Sequence, residues 1–325
     1  MEKLFGESFE KKLDPELRKQ FSKVIEINNS KTYEELLQFR AKKEKQMEKI
    51  LAVIPHDEHV AVSEKLIYNQ KDNVNIRIKV YEPVNKELTL PGILYIHGGG
   101  MTSGKADDTD FQLENWVKRF NCVIVNVDYR LAPETPYPGP LHDCYTALEW
   151  LFAHAEQLGV NKERIGVVGH SAGGGLAAAL ALFCRDQQGP KLAFQMPLYP
   201  MLDDRNRTPS SSQIIDKRIW NRDANIIAWK MYLGEKNDNV SCYAAPSRAE
   251  DLSDLPPLFT FVGELDPFRD ETIEYVARLT KANVPVEFHL FPGCFHAFEG
   301  MIPDAEVSKA ANNLFFSALQ RALHE

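Results

Sequence analysis

From about residue 90 onward the chain alternates between short apolar runs and longer amphipathic stretches. Residues 92–97, 122–127, 164–168, 192–198 and 258–262 are mostly apolar, and 286–291 reads as a last strand in which Glu287 and His289 interrupt the apolar positions. Runs of that length, bounded by turn residues, predict strands buried on both faces. Between them the spacing predicts helices near 110–120, 141–158, 176–183, 270–282 and 304–323. Upstream, residues 61–69 and 74–81 alternate apolar with polar around the turn-forming 69–73, which predicts a hairpin. Strands alternating with helices predict an α/β fold. Its central sheet is mostly parallel, helices cover both faces, and the site lies at the carboxyl ends of the strands.

Two stretches depart from this rhythm. Residues 1–55 are rich in both charges, and Thr32 followed by Glu34 and Glu35 opens a thinly apolar helix that runs on through Lys49. Residues 203–212 are polar and turn-like, and 219–233 reads as a helix carrying Trp220 and Trp229. Either indole has two readings, as a pocket wall or as packing beneath a cap. The division expected is an N-terminal helical cap segment (1–55), a first part of the core (56–200), a cap insertion (201–245) and a second part of the core (246–325).

A hydrophobic content of 44% supports a large core, and 38 basic against 46 acidic residues leave a formal charge of −8. That balance opposes nucleic acid as a partner, since neutralising phosphates needs a basic face. No stretch is long enough to span a membrane, and residues 1–8 lack the apolar centre of a signal peptide, so a cytoplasmic protein is expected. The cysteines at 122, 144, 184, 242 and 294 are odd in number and lack metal-ligand spacing, which predicts free thiols and no metal site.

The chemistry centres on Gly169-His170-Ser171-Ala172-Gly173, set between a predicted strand and a strong helix former. A serine at such a junction sits on a sharp turn with its hydroxyl held above the sheet. A serine hydroxyl needs a base, and the base needs an orienting carboxylate, in the chain order Ser, acid, His. Of the histidines after Ser171, His289 falls inside the last strand, His324 is terminal, and His296 lies just beyond the strand end. For the acid, the stretch after the penultimate strand offers Glu264, Asp266, Asp270 and Glu271; Asp266 comes first after the strand, and Asp270 sits where a helix cap belongs. His97-Gly98-Gly99-Gly100 also follows a buried strand. Its Gly99 and Gly100 amides, with that of Ala172, are the candidate donors to an oxyanion.

Taken together, His97-Gly98-Gly99-Gly100, Tyr129-Arg130-Leu131-Ala132-Pro133-Glu134, Gly169-His170-Ser171-Ala172-Gly173-Gly174, Asp266-Pro267-Phe268-Arg269-Asp270-Glu271 and Phe295-His296-Ala297-Phe298 carry a resemblance. From about residue 60 onward the chain resembles the hormone-sensitive lipase family of α/β-hydrolases, on its bacterial carboxylesterase or acetyl-esterase side. The resemblance implies an α/β-hydrolase fold, Ser171 as nucleophile, Asp266 as acid, His296 as base, and a cap built from the N-terminus and residues near 200–240. The reading is a serine carboxylesterase acting on small esters, with no cofactor implied; the acidic chain, the charged N-terminal helices and the two indoles of the inserted segment point to short acyl chains, with no nucleic-acid or membrane partner and a homodimer left open. His170 stands where Asp is frequent in that family, and Gly175 where Asn is. Residues 129–134 read as a buttress for the glycine loop, with Arg130 and Glu134 paired and Asp143 nearby. The alternatives are an amidase or peptidase with the same triad, and a non-catalytic binding protein on a hydrolase frame.

Overall fold

A computed structural model describes residues 9–23, 31–51, 53–86, 89–234 and 239–325. Residues 1–8, part of the expected cap segment and of the expected absence of a signal sequence, lie outside the described residues, as do 24–30 and 235–238 within the two expected cap regions.

The chain opens with short helices α1 (Phe9–Lys12) and α2 (Pro15–Gln20) and the long α3 (Tyr33–Leu51). Thr32 and Glu35 cap α3 reciprocally: the Glu35 amide donates to Thr32 Oγ1 at 3.2 Å and the Thr32 amide to Glu35 Oε2 at 3.3 Å. Strands β1 (Val60–Asn69) and β2 (Val74–Pro83) form the expected hairpin. Then come β3 (Leu90–Ile96), α4 (Asp110–Phe120), β4 (Val123–Asp128), α5 (Gly139–Ala153), α6 (Ala155–Leu158), β5 (Val160–His170) and α7 (Ala172–Asp186). The chain continues through β6 (Gln195–Leu198), α8 (Pro209–Gln213), α9 (Arg222–Leu233), β7 (Leu258–Leu265), α10 (Arg269–Lys281), β8 (Val286–Phe295), α11 (Phe298–Met301) and α12 (Glu306–His324).

One eight-stranded sheet runs in the order β1-β2-β4-β3-β5-β6-β7-β8. The β1/β2 and β2/β4 pairs are antiparallel, and every other pair is parallel. The all-apolar strands are explained by burial on both faces. Leu94, Ile96, Val123, Val125 and Val167 face a core completed by α5 and α7, while Ile93, Tyr95, Ile124 and Val168 face one completed by α4 and α12. Alternate residues of one strand thus serve opposite layers. Because β3, β5, β6, β7 and β8 run parallel, their carboxyl ends meet at one edge, and the chain leaves each into a loop there. Among the described residues no helix is long and apolar enough to cross a membrane. All the cysteines are free, and four of them are buried.

Candidate active site

Ser171 is the residue between β5 and α7, with φ +57° and ψ −118°. An L-residue with positive φ is strained by an order of 1–3 kcal/mol. The strain is held by the surroundings: the Ser171 amide donates to Leu198 O at 2.9 Å, and its carbonyl accepts from the amides of Gly175 and Met201. The close packing of α7 on β3 explains Gly173, where a Cβ would stand 2.1 Å from the carbonyl oxygen of Ile96. The geometry turns the Ser171 hydroxyl above the strand ends while leaving the residue 8% exposed.

His296 follows β8 immediately, and Asp266 follows β7 immediately. Ser171 Oγ lies 2.9 Å from His296 Nε2, and His296 Nδ1 lies 2.7 Å from Asp266 Oδ2. Asp266 Oδ1 accepts the Phe268 amide at 2.8 Å, which fixes the carboxylate's rotation. The His296 ring is packed by Phe268 at 5.1 Å, Tyr199 at 5.0 Å and Trp220 at 6.4 Å between centroids. The serine, the imidazole and the carboxylate therefore form one hydrogen-bonded line, buried at its acid end.

The other candidate acids, Glu264 at the end of β7 and Asp270 and Glu271 on α10, are each occupied elsewhere. Glu264 accepts the Gly293 amide, and Glu271 accepts those of Leu202 and Asp203. Asp270 departs from the expectation that it caps its own helix. The cap position of α10 is Phe268, with no side-chain bond, and Asp270 instead accepts the Ser210 amide at 2.7 Å at the start of α8. It ties the start of α8 to the first turn of α10 instead of closing α10's own start. His289 bonds Glu287 on β8, and His324 bonds the Phe120 carbonyl.

The glycine loop after β3 is tied from below and from above. The Gly99 carbonyl accepts from the Thr102 and Ser103 amides and from Ser103 Oγ, so these loop bonds end on its carbonyl and use neither the Gly99 nor the Gly100 amide. Ala172 is the first residue of α7, where helical amides lack intrahelical partners. From below, Tyr129 stacks on His97 at 4.2 Å and donates to the His97 carbonyl at 3.0 Å, while the Ala132 amide donates to Met101 O. From above comes a residue the sequence reading missed. Arg40, on α3, donates to Thr102 O at 2.7 Å and to Ala132 O at 2.6 Å, and pairs with Glu134. The expected Arg130–Glu134 pair is therefore absent. Arg130 is clamped by Asp143 and Asp72, and the fully buried Asp143 also accepts from Asn69. The sequence showed the right residue types, but which cation meets which carboxylate depends on how α3 docks.

Both indoles belong to the core completed by α5 and α7; Trp220 also lies against Gly100 and near His296, whereas Trp229 packs on Tyr232. His170 points away from Ser171. It bonds the Tyr95 hydroxyl at 3.1 Å, and burial, with His296 nearby, lowers its pKa to about 4, so it is a neutral imidazole at ordinary pH. Residues that directly follow a parallel strand were the available signal for Tyr199, which the sequence reading passed over.

An α/β-hydrolase fold family model matches residues 93–300, a span that includes the glycine loop, Ser171, Asp266 and His296. The esterase LipI of Mycobacterium tuberculosis is 37% identical over 252 residues, 77% of this chain and 79% of that one. The carboxylesterase NlhH of the same species is 36% identical over 254 residues, covering 77% and 79%. Among solved structures, a bacterial heroin esterase superposes with a TM-score of 0.92 at 39% identity, covering 98% of this chain and 100% of that one.

Proposed function

The chain belongs to the α/β-hydrolase family, on its hormone-sensitive-lipase-like carboxylesterase side, and is a carboxylic ester hydrolase; from that premise we propose that it cleaves small, short-chain acyl esters with Ser171 as nucleophile, His296 as base and Asp266 as orienting acid. The observation that carries the residue roles is the unbroken line from Ser171 Oγ through His296 to Asp266, at 2.9 and 2.7 Å.

Ser171 Oγ attacks the ester carbonyl as its proton passes to His296 Nε2. Asp266 holds the proton on Nδ1, which selects the tautomer whose Nε2 can accept, and stabilises the imidazolium. The amides of Gly99, Gly100 and Ala172 receive the negative charge that develops on the carbonyl oxygen. The imidazolium then protonates the departing alcohol. A water, deprotonated by His296, releases the acid from the acyl-enzyme. The short-chain preference rests on Trp220, which stands over Gly100 and restricts the space beside the reacting carbon. The described parts of 9–55 and 201–245 serve as the cap: Asp14 N bonds Gly293 O beside the His296 loop, and Trp220 stands over the glycine loop. The similarity to a bacterial heroin esterase supports a small-molecule ester as substrate.

A fluorophosphonate should label the protein once, on Ser171, and Ser171→Ala should be inactive on p-nitrophenyl acetate. A label on another serine, or an active Ser171→Ala, refutes the nucleophile. A series of p-nitrophenyl esters from acetate to palmitate should show kcat/KM highest among the short acids. A maximum at palmitate, or activation at an oil–water interface, refutes the substrate class.

A further inference from the structure

Tyr199 leaves β6 with a left-handed backbone, φ +35°, and its amide is anchored on Phe261 O at 2.9 Å. The conformation places its ring between two histidines. The ring stands at 76° to that of His296, 5.0 Å away, and lies 5.8 Å from that of His170. Its hydroxyl donates to Glu299 Oε1 at 2.5 Å. Glu299 lies on α11, the turn that directly follows the His296 loop, and is only 6% exposed. Its second oxygen has no partner among the described residues. Burying a carboxyl with one oxygen unpartnered is costly, and such a group calls for an explanation.

We propose that Glu299 is a positioning residue for the hydrolysis assigned above to Ser171: through Tyr199 it sets the position of the His296 ring, and its carboxylate stabilises the imidazolium formed when His296 takes the serine proton. The proposal rests on that assignment of roles. The proton moves from Ser171 Oγ to His296 Nε2 as the new C–O bond forms, and Glu299 gains and loses none in the step. Asp266 acts on the same ring from Nδ1, so two carboxylates share one cation.

Burial raises the Glu299 carboxyl, and the Tyr199 bond and His296 pull it back, leaving it at about 7. It is therefore ionised over the upper part of the range in which an imidazole base works. The groups around it come from several elements. Asp266 after β7 raises it, Tyr95 on β3 and Cys294 on β8 feel its charge, and Asn312 on α12 bonds its backbone. Around His296 stand Ser171, Asp266 and Tyr199, and His170 stays neutral. Tyr199, Glu299 and His170 also line a cavity of about 860 Å³ between α4 and α12.

The test compares the pH dependence of kcat/KM on p-nitrophenyl acetate for wild type, Glu299→Gln and Tyr199→Phe, with His296→Ala as control. Glutamine keeps an acceptor for the Tyr199 hydroxyl but cannot ionise. In Glu299→Gln the acid limb should move to lower pH by about half a unit or more, because a charge that favours the imidazolium is gone. On the plateau kcat should fall about three- to tenfold, while the melting temperature holds or rises. Tyr199→Phe should change kcat in the same direction, because the hydrogen bond is cut and the ring stays. A structural role alone would lower stability and leave the limb in place, so an unmoved limb in Glu299→Gln overturns the proposal. If that variant does not fold, Tyr199→Phe decides, and a kcat equal to wild type overturns it. An active His296→Ala would refute the assignment of His296 itself, a result separate from either.

Discussion

The indole of Trp220 lies directly on Gly100: a Cβ at Gly100 would stand 2.4 Å from the ring's Cη2. Gly100 also has φ +64°, so an alanine there is opposed both by its own backbone and by the indole. Gly100→Ala should lower kcat by about a hundredfold, the scale of a lost oxyanion donor. Trp220→Ala should raise kcat/KM for longer acyl chains relative to acetate. Adding Trp220→Ala to Gly100→Ala should recover part of the lost rate. Strict additivity in that double-mutant cycle would mean the two groups do not meet.

Asp266 and Asp270 are separated by one turn of chain and by their partners. In the proposed mechanism Asp266→Asn removes the charge that selects the His296 tautomer, and it should lower kcat by about 10⁴-fold. Asp270→Asn leaves the Ser210 amide an acceptor; kcat should stay near wild type and stability should fall by about 1 kcal/mol or less. Steady-state kinetics and a melting curve for each variant separate the two. The opposite ranking in kcat would exchange their roles.

The N-terminal helix α3 buries Leu36 alone among its described side chains and reaches the rest of the protein largely by charge. Arg40 holds the glycine loop and Glu134, Lys43 pairs with Asp108, and Glu44 with Lys105. These pairs are partly exposed, so salt screens them. Arg40→Ala should reduce kcat/KM several-fold at low salt, and raising the salt should bring wild type toward the variant. Equal kcat/KM for the two proteins at low salt would show that α3 does not steady the loop.

Asp143 is fully buried and accepts bonds from the Arg130 amide, the Arg130 guanidinium and Asn69. Asp143→Ala leaves the Arg130 amide, the Arg130 Nε and the Asn69 amide without this acceptor while Asp72 still meets the guanidinium, and a loss of about 2 kcal/mol is expected from the unpaired donors. The denaturant midpoint should drop accordingly. Because the Arg130 loop also carries Tyr129 and Ala132, kcat should fall with it. A stability change under about 0.5 kcal/mol would place the variant among ordinary surface substitutions and remove this clamp from the fold's supports.

The strands and helices from residue 60 onward were legible because their signals are local. Apolar runs mark strands buried on both faces, and glycines and prolines mark their ends. Boundaries moved where backbone pairing outlasted the pattern: β8 continues to Phe295, through Pro292 and Gly293, so His296 follows the strand directly instead of lying in a longer loop. The hairpin was legible from alternation, and the start of α3 from Thr32 and the acids after it; that Thr32 and Glu35 cap each other reciprocally was decided by the fold. Asp270 was misread because a capping residue is recognised by position in the chain, whereas its carboxylate is taken by Ser210 from a segment sixty residues away.

By itself the sequence determined which residues stand at the ends of strands, and so which serine, histidine and acids are carried to the same edge once those strands run parallel. Direction within that edge was decided only by tertiary structure. A side chain's partner depends on distances between elements far apart in the chain, and sequence spacing carries no record of them. Thus Arg40 rather than Arg130 meets Glu134, Trp220 rather than Trp229 reaches the glycine loop, and Glu299, an ordinary acid three residues beyond His296, is buried against Tyr199 from the end of β6.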